Sequence, residues 1–345
     1  MSEWRDTNLG EVVEVKYGKD HKHLAIGKIP AYGSGGVMRF VDTALYDDES
    51  ILIPRKGSLN NIIYESKPFW TVDTMFWSKI DKTLAHPKFL YYQLTEIDYM
   101  NLNVGSAVPS LTVPVINAIE ISLPPLQEQK AIASVLSSLD DKIDLLHRQN
   151  TTLERMAETL FRQWFVEEAQ GDWEEISFGK FVAPKKGKNI TKADAIDGIY
   201  PVIAGGLTPS CFHNKYNTNA PVITISASGA NAGFVCLHHS PVWSSDSSYI
   251  DDTITKYVYF CYVFLKYNQS ILTDKQEGSA QPHIYPSHIM DLGALNYPVH
   301  LIETFENQVE SLFEKIKLNQ KQIQTLEKLR DNLLPKLMSG EVRVL

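Results

Sequence analysis

The chain switches twice between two textures. From residue 1 to about 124, short apolar runs such as Ile51-Leu52-Ile53 and Ile62-Ile63-Tyr64 lie between turn residues, which predicts strands. Leu84 to Met100 places aromatic residues on one helical face, with Pro87 near its start, and predicts a short helix. Pro124-Pro125 closes this stretch, and no Gly or Pro follows from Leu126 to Phe165. There the apolar positions step by four and three: Ile132, Leu136, Leu139, Ile143, Leu146, Asn150, Leu153, Ala157, Leu160 and Trp164. This sustained 3.5-residue period predicts a coiled-coil helix. The first texture then returns. Val222 to Ile225 and Gly233 to Cys236 predict strands, Tyr257 to Tyr267 a helix, and Pro298 a second closure. A second seam follows: Phe305, Val309, Leu312, Ile316, Asn319, Ile323, Leu326, Arg330, Leu333 and Leu337. Each long helix should reach roughly 60 Å at ~1.5 Å per residue. Pro335 is expected to kink or end the second one near Leu334.

The return is a duplication. Gly105-Ser106-Ala107 recurs as Gly278-Ser279-Ala280, an offset of 173 residues. At the same offset Trp70, Asp73, Pro125, Lys142 and Leu153 fall on Trp243, Asp246, Pro298, Lys315 and Leu326. The alignment reads without a gap from about Trp70 to about Trp164 and loosens before that, where Trp4 matches Trp173. A period this long is a duplicated domain, because solenoid repeats run at roughly 20–50 residues. The two seams also fit one another. Antiparallel pairing of the first position with the last sets Asn150 opposite Asn319 and brings Arg330 to Leu139, near Asp140 and Asp141. A paired buried Asn fixes register at a cost in stability; the bland alternative is that each Asn faces solvent.

The expected fold class is therefore α/β in the mixed, α+β sense. Two duplicated globular domains are joined by two long antiparallel coiled-coil helices with pseudo-twofold symmetry. The expected boundaries are 1–125 and 169–300 for the globules, and 126–168 and 301–338 for the helices. Residues 339–345 should pack back toward the first globule.

Composition is that of an ordinary globular protein, with 43% hydrophobic and 21% charged residues. No run approaches the ~18 apolar residues of a membrane span, and the start lacks signal-peptide features, so a cytoplasmic protein is expected. The three cysteines, Cys211, Cys236 and Cys261, form no C-x-x-C pair and read as small core or surface residues. The net charge of -8 weighs against a large nucleic-acid footprint on this chain alone. Residues 171–300 contain no arginine, so that half cannot use an Arg-to-guanine contact. Phosphate binding would rest on local placement or on basic partner subunits.

Catalytic signatures are missing: no phosphate-binding glycine loop, no H-E-x-x-H and no G-x-S-x-G occurs. Asn61-Ile62-Ile63-Tyr64 is superficially like the N-P-P-Y of amino-methyltransferases but lacks its prolines, and reads as a strand. His238-His239 beside Cys236 has no counterpart in the first copy and reads as a loop, not a metal site. Four polar motifs do recur. Tyr32-Gly33-Ser34-Gly35-Gly36 pairs with Ala204-Gly205-Gly206, and Arg55-Lys56-Gly57-Ser58-Leu59-Asn60-Asn61 with Ala227-Ser228-Gly229-Ala230-Asn231-Ala232-Gly233. Thr71-Val72-Asp73-Thr74 pairs with Ser244-Ser245-Asp246-Ser247, and Gly105-Ser106 with Gly278-Ser279. Such residues suit phosphate positioning and base-edge contacts, although any one of them alone is an ordinary turn.

Leu123-Pro124-Pro125-Leu126-Gln127-Glu128-Gln129-Lys130-Ala131-Ile132 resembles the start of the spacer in type I restriction–modification specificity subunits. Leu333-Leu334-Pro335-Lys336-Leu337-Met338-Ser339-Gly340-Glu341-Val342 resembles the end of that family's second spacer. The resemblance spans the chain; Asn296-Tyr297-Pro298-Val299 departs from it where a second Pro-Pro-Leu-x-Glu-Gln would stand. It implies a non-catalytic subunit with two target recognition domains, each reading half of a bipartite site on double-stranded DNA, with the helices as a ruler. It also implies two methyltransferase subunits that carry S-adenosylmethionine. Two motor–nuclease (restriction) subunits using Mg and ATP are optional partners, and the chain itself binds no cofactor or metal. On that basis the polar loops should face DNA: Tyr32, Ser34, Gly35, Arg55, Lys56, Ser58, Asn60 and Asn61 in the first domain, and Gly205, Lys215, Ser226, Ser228, Asn231 and Ser245 in the second. Competing readings are a stand-alone enzyme with two duplicated active sites, and a coiled-coil scaffold or binding module.

Overall fold

The computed structural model describes residues 4–169, 173–278 and 281–344. It divides into two compact units: residues 1–144 with 323–345, and residues 145–322. In unit 1 the strands are β1 (Arg5–Asn8), β2 (Val13–Tyr17), β3 (Ile26–Gly33), β4 (Gly36–Val41), β5 (Ser50–Pro54), β6 (Ile63–Glu65), β7 (Trp70–Thr71), β8 (Met75–Ile80) and β9 (Glu120–Leu123). Helices α1 (Pro87–Thr95) and α2 (Val113–Asn117) precede the long α3 (Leu126–Arg162), which passes into unit 2. Unit 2 has β10 (Glu175–Ser177), β11 (Lys185–Lys186), β12 (Tyr200–Ile203), β13 (Cys211–His213), β14 (Val222–Ser226), β15 (Val235–His238), β16 (Trp243–Ser244), β17 (Ser247–Asp251) and β18 (Gly293–Leu295). Its helices are α4 (Val258–Tyr267), α5 (Gln269–Asp274), α6 (Pro286–Met290) and the start of the long α7 (Val299–Met338).

The sheets repeat strand for strand. Unit 1 orders them β2-β8-β5-β6, β4-β3-β7 and β1-β9; unit 2 orders them β11-β17-β14-β15, β13-β12-β16 and β10-β18. Each three-stranded sheet contains one parallel pair, β3 with β7 and β12 with β16. The central strands β5 and β14 are buried throughout, which is why Ile51-Leu52-Ile53 and Val222-Ile223 read as continuous apolar runs. Domain helices α1 and α4 are apolar over most of their surface because they are enclosed on several sides.

The long helices belong to the cores of these units. In unit 1, Ile132, Ala133 and Leu136 of α3 and Leu337 and Met338 of α7 join Leu9, Phe89 and Leu123 in one buried cluster. In unit 2, Ala157, Phe161 and Phe165 join Phe260, Phe264 and Phe305. Side chains from the long helices also close the start of each domain helix. Gln129 Oε1 accepts from His86 N at 2.7 Å. Glu306 accepts from Tyr259 N at 3.0 Å and Phe260 N at 2.7 Å. Burial outweighs these two donors and pushes the Glu306 carboxyl up to about 7.

Within each unit the two helical segments run antiparallel. In unit 2, Asn319 Nδ2 donates to Asn150 Oδ1 at 2.8 Å, and the rings of Trp164 and Phe305 lie 6.1 Å apart. In unit 1, Arg330 Nη1 meets Asp140 Oδ1 at 3.0 Å, and Arg343 Nε meets Glu128 Oε1 at 3.7 Å. No position of either seam is exposed. After α7, Gly340 lies against the Trp4 ring and Val344 against the unit 1 core.

Three local expectations change. The helix expected over Leu84–Met100 is only α1, because Asp81 organises a turn before it and Glu96 N and Ile97 N fold back on Gln93 O and Leu94 O. Pro335 does not end α7, which continues to Met338. Proline removes one N–H within the last turns, and Ser339 N still bonds to Pro335 O at 2.9 Å. The last turn of the first long helix, Gln163–Glu167, widens to π geometry, with Phe165 turned into the core.

The Asn pair makes a testable prediction. Asn319 is 0% exposed and its Oδ1 has no hydrogen-bond partner. Asn150→Leu alone strands the Asn319 amide and should cost about 1–3 kcal/mol. Adding Asn319→Leu should restore or exceed wild-type stability, as read from urea midpoints of the four proteins. A double variant no more stable than the single one would show that the pair is not an isolated polar insert.

Candidate nucleic-acid interface

Four loops meet at one end of the sheets in unit 1: the β3–β4 hairpin tip, the loop after β5, the β7–β8 turn, and the loop from Asn103 to Ser110. Backbone bonds knit them together. Arg55 N donates to Thr74 O at 2.8 Å, Gly57 N to Pro109 O at 3.0 Å, Leu111 N to Arg55 O at 2.9 Å and Val72 N to Tyr32 O at 2.9 Å. Asn61 Nδ2 ties the β5 loop to the hairpin through Ser34 O at 2.9 Å.

Unit 2 repeats this mesh bond for bond. Ala227 N donates to Asp246 O at 3.1 Å, Gly229 N to Pro282 O at 3.0 Å, Ile284 N to Ala227 O at 2.9 Å and Ser245 N to Ile203 O at 2.8 Å. Asn231 Nδ2 reaches Gly205 O at 3.5 Å. Gly57 and Gly229 occupy matching turns at φ +90 and +79, a region that glycine enters without a Cβ penalty. Ser279 and Ala280, in the second copy of the Gly-Ser motif, lie outside the described residues.

The charges on this common frame differ. Arg55 Nη1 donates to Asp73 O at 3.1 Å, and its guanidinium lies 5.4 Å over the Tyr17 ring. This seats the side chain by a cation–π contact and uses one of its five donors. Lys56 beside it is exposed. In unit 2 the matching pair is Ala227-Ser228, and the Ser228 hydroxyl donates to the Asp246 carboxylate. At the strand position of Tyr17, next to the glycine that follows β2 and β11, unit 2 carries the exposed Lys186. Cation and neutral partner have changed places between loop and strand. Among the described residues no cluster of three or more His, Cys, Asp or Glu side chains could hold a metal. Nor, among the described residues, is any helix long and apolar enough to cross a membrane.

Comparison with known proteins meets this duplicated frame. Residues 1–155 match the family model for the type I restriction modification DNA specificity domain. The MjaIX type I restriction enzyme specificity subunit of Methanocaldococcus jannaschii is 27% identical, over 87% of this chain and 79% of its own length. The MjaVIII specificity subunit of the same organism is 20% identical over 99% of this chain and 93% of its own. The crystal structure of a type I restriction–modification S subunit from M. genitalium shares the fold, with a TM-score of 0.66 at 20% identity, covering 97% of this chain and 96% of that one. Residues 1–155 thus match a type I restriction modification DNA specificity domain, and most of the chain is similar to type I restriction enzyme specificity subunits.

The residues singled out from sequence separate into three groups. Gly35, Lys56, Ser58, Asn60 and Lys215 are exposed at loop tips. Tyr32, Ser34, Arg55, Asn61, Gly205, Ser228 and Asn231 are half-buried and help to hold the mesh. Tyr32 donates to Glu65 Oε2 at 2.6 Å; burial and then that carboxylate push its phenol above its ordinary value, so it stays a donor. Ser226 and Ser245 are a correction. They are 4% and 3% exposed: Ser226 ends the wholly buried strand β14, and Ser245 lies in the short β16–β17 turn, where its N–H is tied to Ile203 O. Ser226 Oγ bonds Ser228 O at 3.4 Å, and Ser245 Oγ accepts from Ile190 N at 3.1 Å.

The alignment of the copies is corrected as well. Strand pairing places Thr74, not Asp73, at the position of Asp246, because the β16–β17 turn is one residue shorter than the β7–β8 turn. The hairpin bonds likewise set Ser34, not Gly35, against Gly205. Sequence reasoning missed Tyr17, Lys186 and Asn103. Asn103 Oδ1 accepts from Gly105 N and Ser110 N, both at 2.8 Å, and so shapes the fourth loop. An Asn two residues before a Gly is a turn signal that could have found it. The paired histidines are structural: His238 Nε2 lies 2.8 Å from Thr224 Oγ1, and burial holds both rings down to about 4.

Gly57→Ala should cost roughly 1–2 kcal/mol from the left-handed backbone. Gly229→Ala should cost less, since an added Cβ at Gly57 would lie 3.1 Å from Ser34 Oγ while Gly229 faces open space. Calorimetric melting of the two variants checks that order, and equal losses would count against a tightly packed hairpin–loop contact.

Proposed function

We propose that this DNA specificity subunit reads a bipartite target, with each unit contacting one half-site through its four-loop frame. The observation that supports this most directly is the bond-for-bond repetition of that frame with different charges on it. A common scaffold presents backbone and polar groups to a common ligand, and the variable side chains distinguish sequences. Residues 1–125 and 169–300 act as the target recognition domains. The helical stretches 126–168 and 301–338 set the distance between half-sites, and the Asn150–Asn319 bond fixes their register.

The subunit recruits two methyltransferase subunits and, in a complete restriction complex, two motor–nuclease subunits. S-adenosylmethionine, Mg and ATP belong to those partners. The chain is a recognition component working in the cytoplasm, and catalysis is supplied by its partners. With a net charge of -8 it gains little from long-range attraction to DNA, so partner subunits must neutralise most of the phosphates along the duplex. Arg55 and Lys56 provide local positive charge in the first domain; Lys186 and Lys215 do so in the second.

Two experiments test this reading. Arg55→Ala combined with Lys56→Ala should weaken binding of the methyltransferase complex to its native site. The salt dependence should flatten by about one to two units of log–log slope. Unchanged methylation rate and unchanged salt dependence would remove both residues from the interface. Separately, adding one heptad to each long helix should lengthen each by ~10 Å. The permitted gap between half-sites should then grow while the half-sites stay the same, as mapped from methylated adenines. An unchanged gap would sink the ruler role.

A further inference from the structure

The hairpins that bear Ser34 and Gly205 carry an apolar feature that the polar frame does not use. β4 pairs with β3 so that Phe40 lies opposite Pro30; β13 pairs with β12 so that Phe212 lies opposite Pro201. These are matching positions in the two units, and the rings are 52% and 54% exposed. Neighbouring strand residues have changed between the copies. Arg39 corresponds to Cys211, and Val41 to His213, which face inward against Trp70 and Trp243 respectively. The inner face of the hairpin has thus been rebuilt, while the outer Phe–Pro pair is the same in both. Other apolar side chains stand open beside it: Val37 and Met38 in unit 1, Leu207 and Tyr216 in unit 2.

A single exposed Phe needs no explanation, but the same exposed ring at the same strand position of two diverged units does. What it contacts should be common to both units. The hairpin is continuous with the four-loop frame, because its tip carbonyls, Ser34 O and Gly205 O, accept from Asn61 and Asn231. Phe40 lies four residues beyond Gly36, hence ~13 Å along the strand from the tip. That is close to the ~12 Å width of a major groove, so one duplex can span both features. A phenyl ring gains nothing from a phosphate. Bases offer it a π face or a thymine methyl.

Resting on the DNA-reading function above, we propose that Phe40 and Phe212 are apolar wedges, one for each half-site, that press on the bases. Each makes recognition sensitive to how readily a particular base step unstacks. Selection by deformability supplies specificity without a hydrogen bond to a base edge. It suits a second domain that has no arginine.

The test uses the assembled complex with the methyltransferase subunits and target DNA carrying 2-aminopurine at successive steps of one half-site. Wild-type binding should raise the fluorescence at one step. Phe40→Ala should abolish that rise in its own half-site only, and Phe212→Ala in the other. Affinity should fall about tenfold or more with the salt slope unchanged, which separates the wedge from the Arg55 and Lys56 contacts. Phe→Leu at either position should keep part of the affinity. If wild type binds its target and both alanine variants bind and discriminate equally well, the inference is wrong. Loss of methyltransferase assembly in the variants would also overturn it, by marking a protein-facing surface. A wild-type complex without sequence-specific DNA binding would overturn the functional reading, and the wedge with it.

Discussion

Neither globular body closes its core with its own residues. In unit 1 the last turn of α7 inserts Leu337 and Met338 beside residues of α1 and β9; in unit 2 the end of the first long helix inserts Phe161 and Phe165 beside α4. A fully buried side chain of this size contributes about 1.5–3 kcal/mol. Two from the helix end, with the seam residues nearby, amount to a large share of what holds a domain of this size together. A helix that must close a core at its end cannot slide. Displacement by one heptad would move it ~10 Å and withdraw those side chains. The core thus constrains the seam, and the Asn150–Asn319 bond acts on a register already restricted from outside.

This double restriction accounts for a polar pair in an otherwise apolar seam. A seam of Leu and Ile alone holds well in several registers, because each heptad offers the same holes to the same knobs. The Asn pair is satisfied in one alignment and stranded in the others, so it costs some stability while raising the energy of the alternatives. Arg330 acts similarly in unit 1. Its guanidinium occupies a seam position and is held by Asp140 and Asp331. The same Asp140 accepts from Tyr92 Oη at 2.6 Å, which ties seam to domain helix. At the corresponding place in unit 2, Phe313 stacks on Tyr259, with ring centroids 4.6 Å apart. One copy locks helix to domain by charge and the other by aromatic contact.

Much of this was legible in the sequence for a physical reason. Coiled-coil spacing, duplicated tryptophans and closing prolines are periodic or bulky signals that survive divergence, and they place the helices and the two bodies. What was hidden depends on geometry that spacing does not encode. A gapless offset matches Asp73 to Asp246, but a turn one residue shorter changes which side chain faces the loop. Ser226 and Ser245 look like exposed loop residues by type, but one ends a strand enclosed on both faces and the other sits in a buried turn. Tyr17 and Lys186 lie on a different strand from the loop they adjoin. Phe40 and Phe212 lie beyond the polar motifs that drew attention to the loops.

The frame itself shows how two copies can diverge from one. Nearly all of its ties run through backbone atoms, or end on a backbone carbonyl: Trp70 Nε1 to Lys19 O at 3.0 Å and Trp243 Nε1 to Lys188 O at 2.7 Å follow the same rule. Backbone donors and acceptors are present whatever side chain a residue bears, provided it is not proline. Replacing Arg55-Lys56 by Ala-Ser therefore removes two charges and the Arg55–Asp73 side-chain bond without breaking a strand pair or a backbone-to-backbone loop bond. Most of the stabilising groups and the variable groups are separate atoms of the same residues. That separation lets a positive loop over Tyr17 in one copy become a neutral loop beside Lys186 in the other while both keep one backbone path.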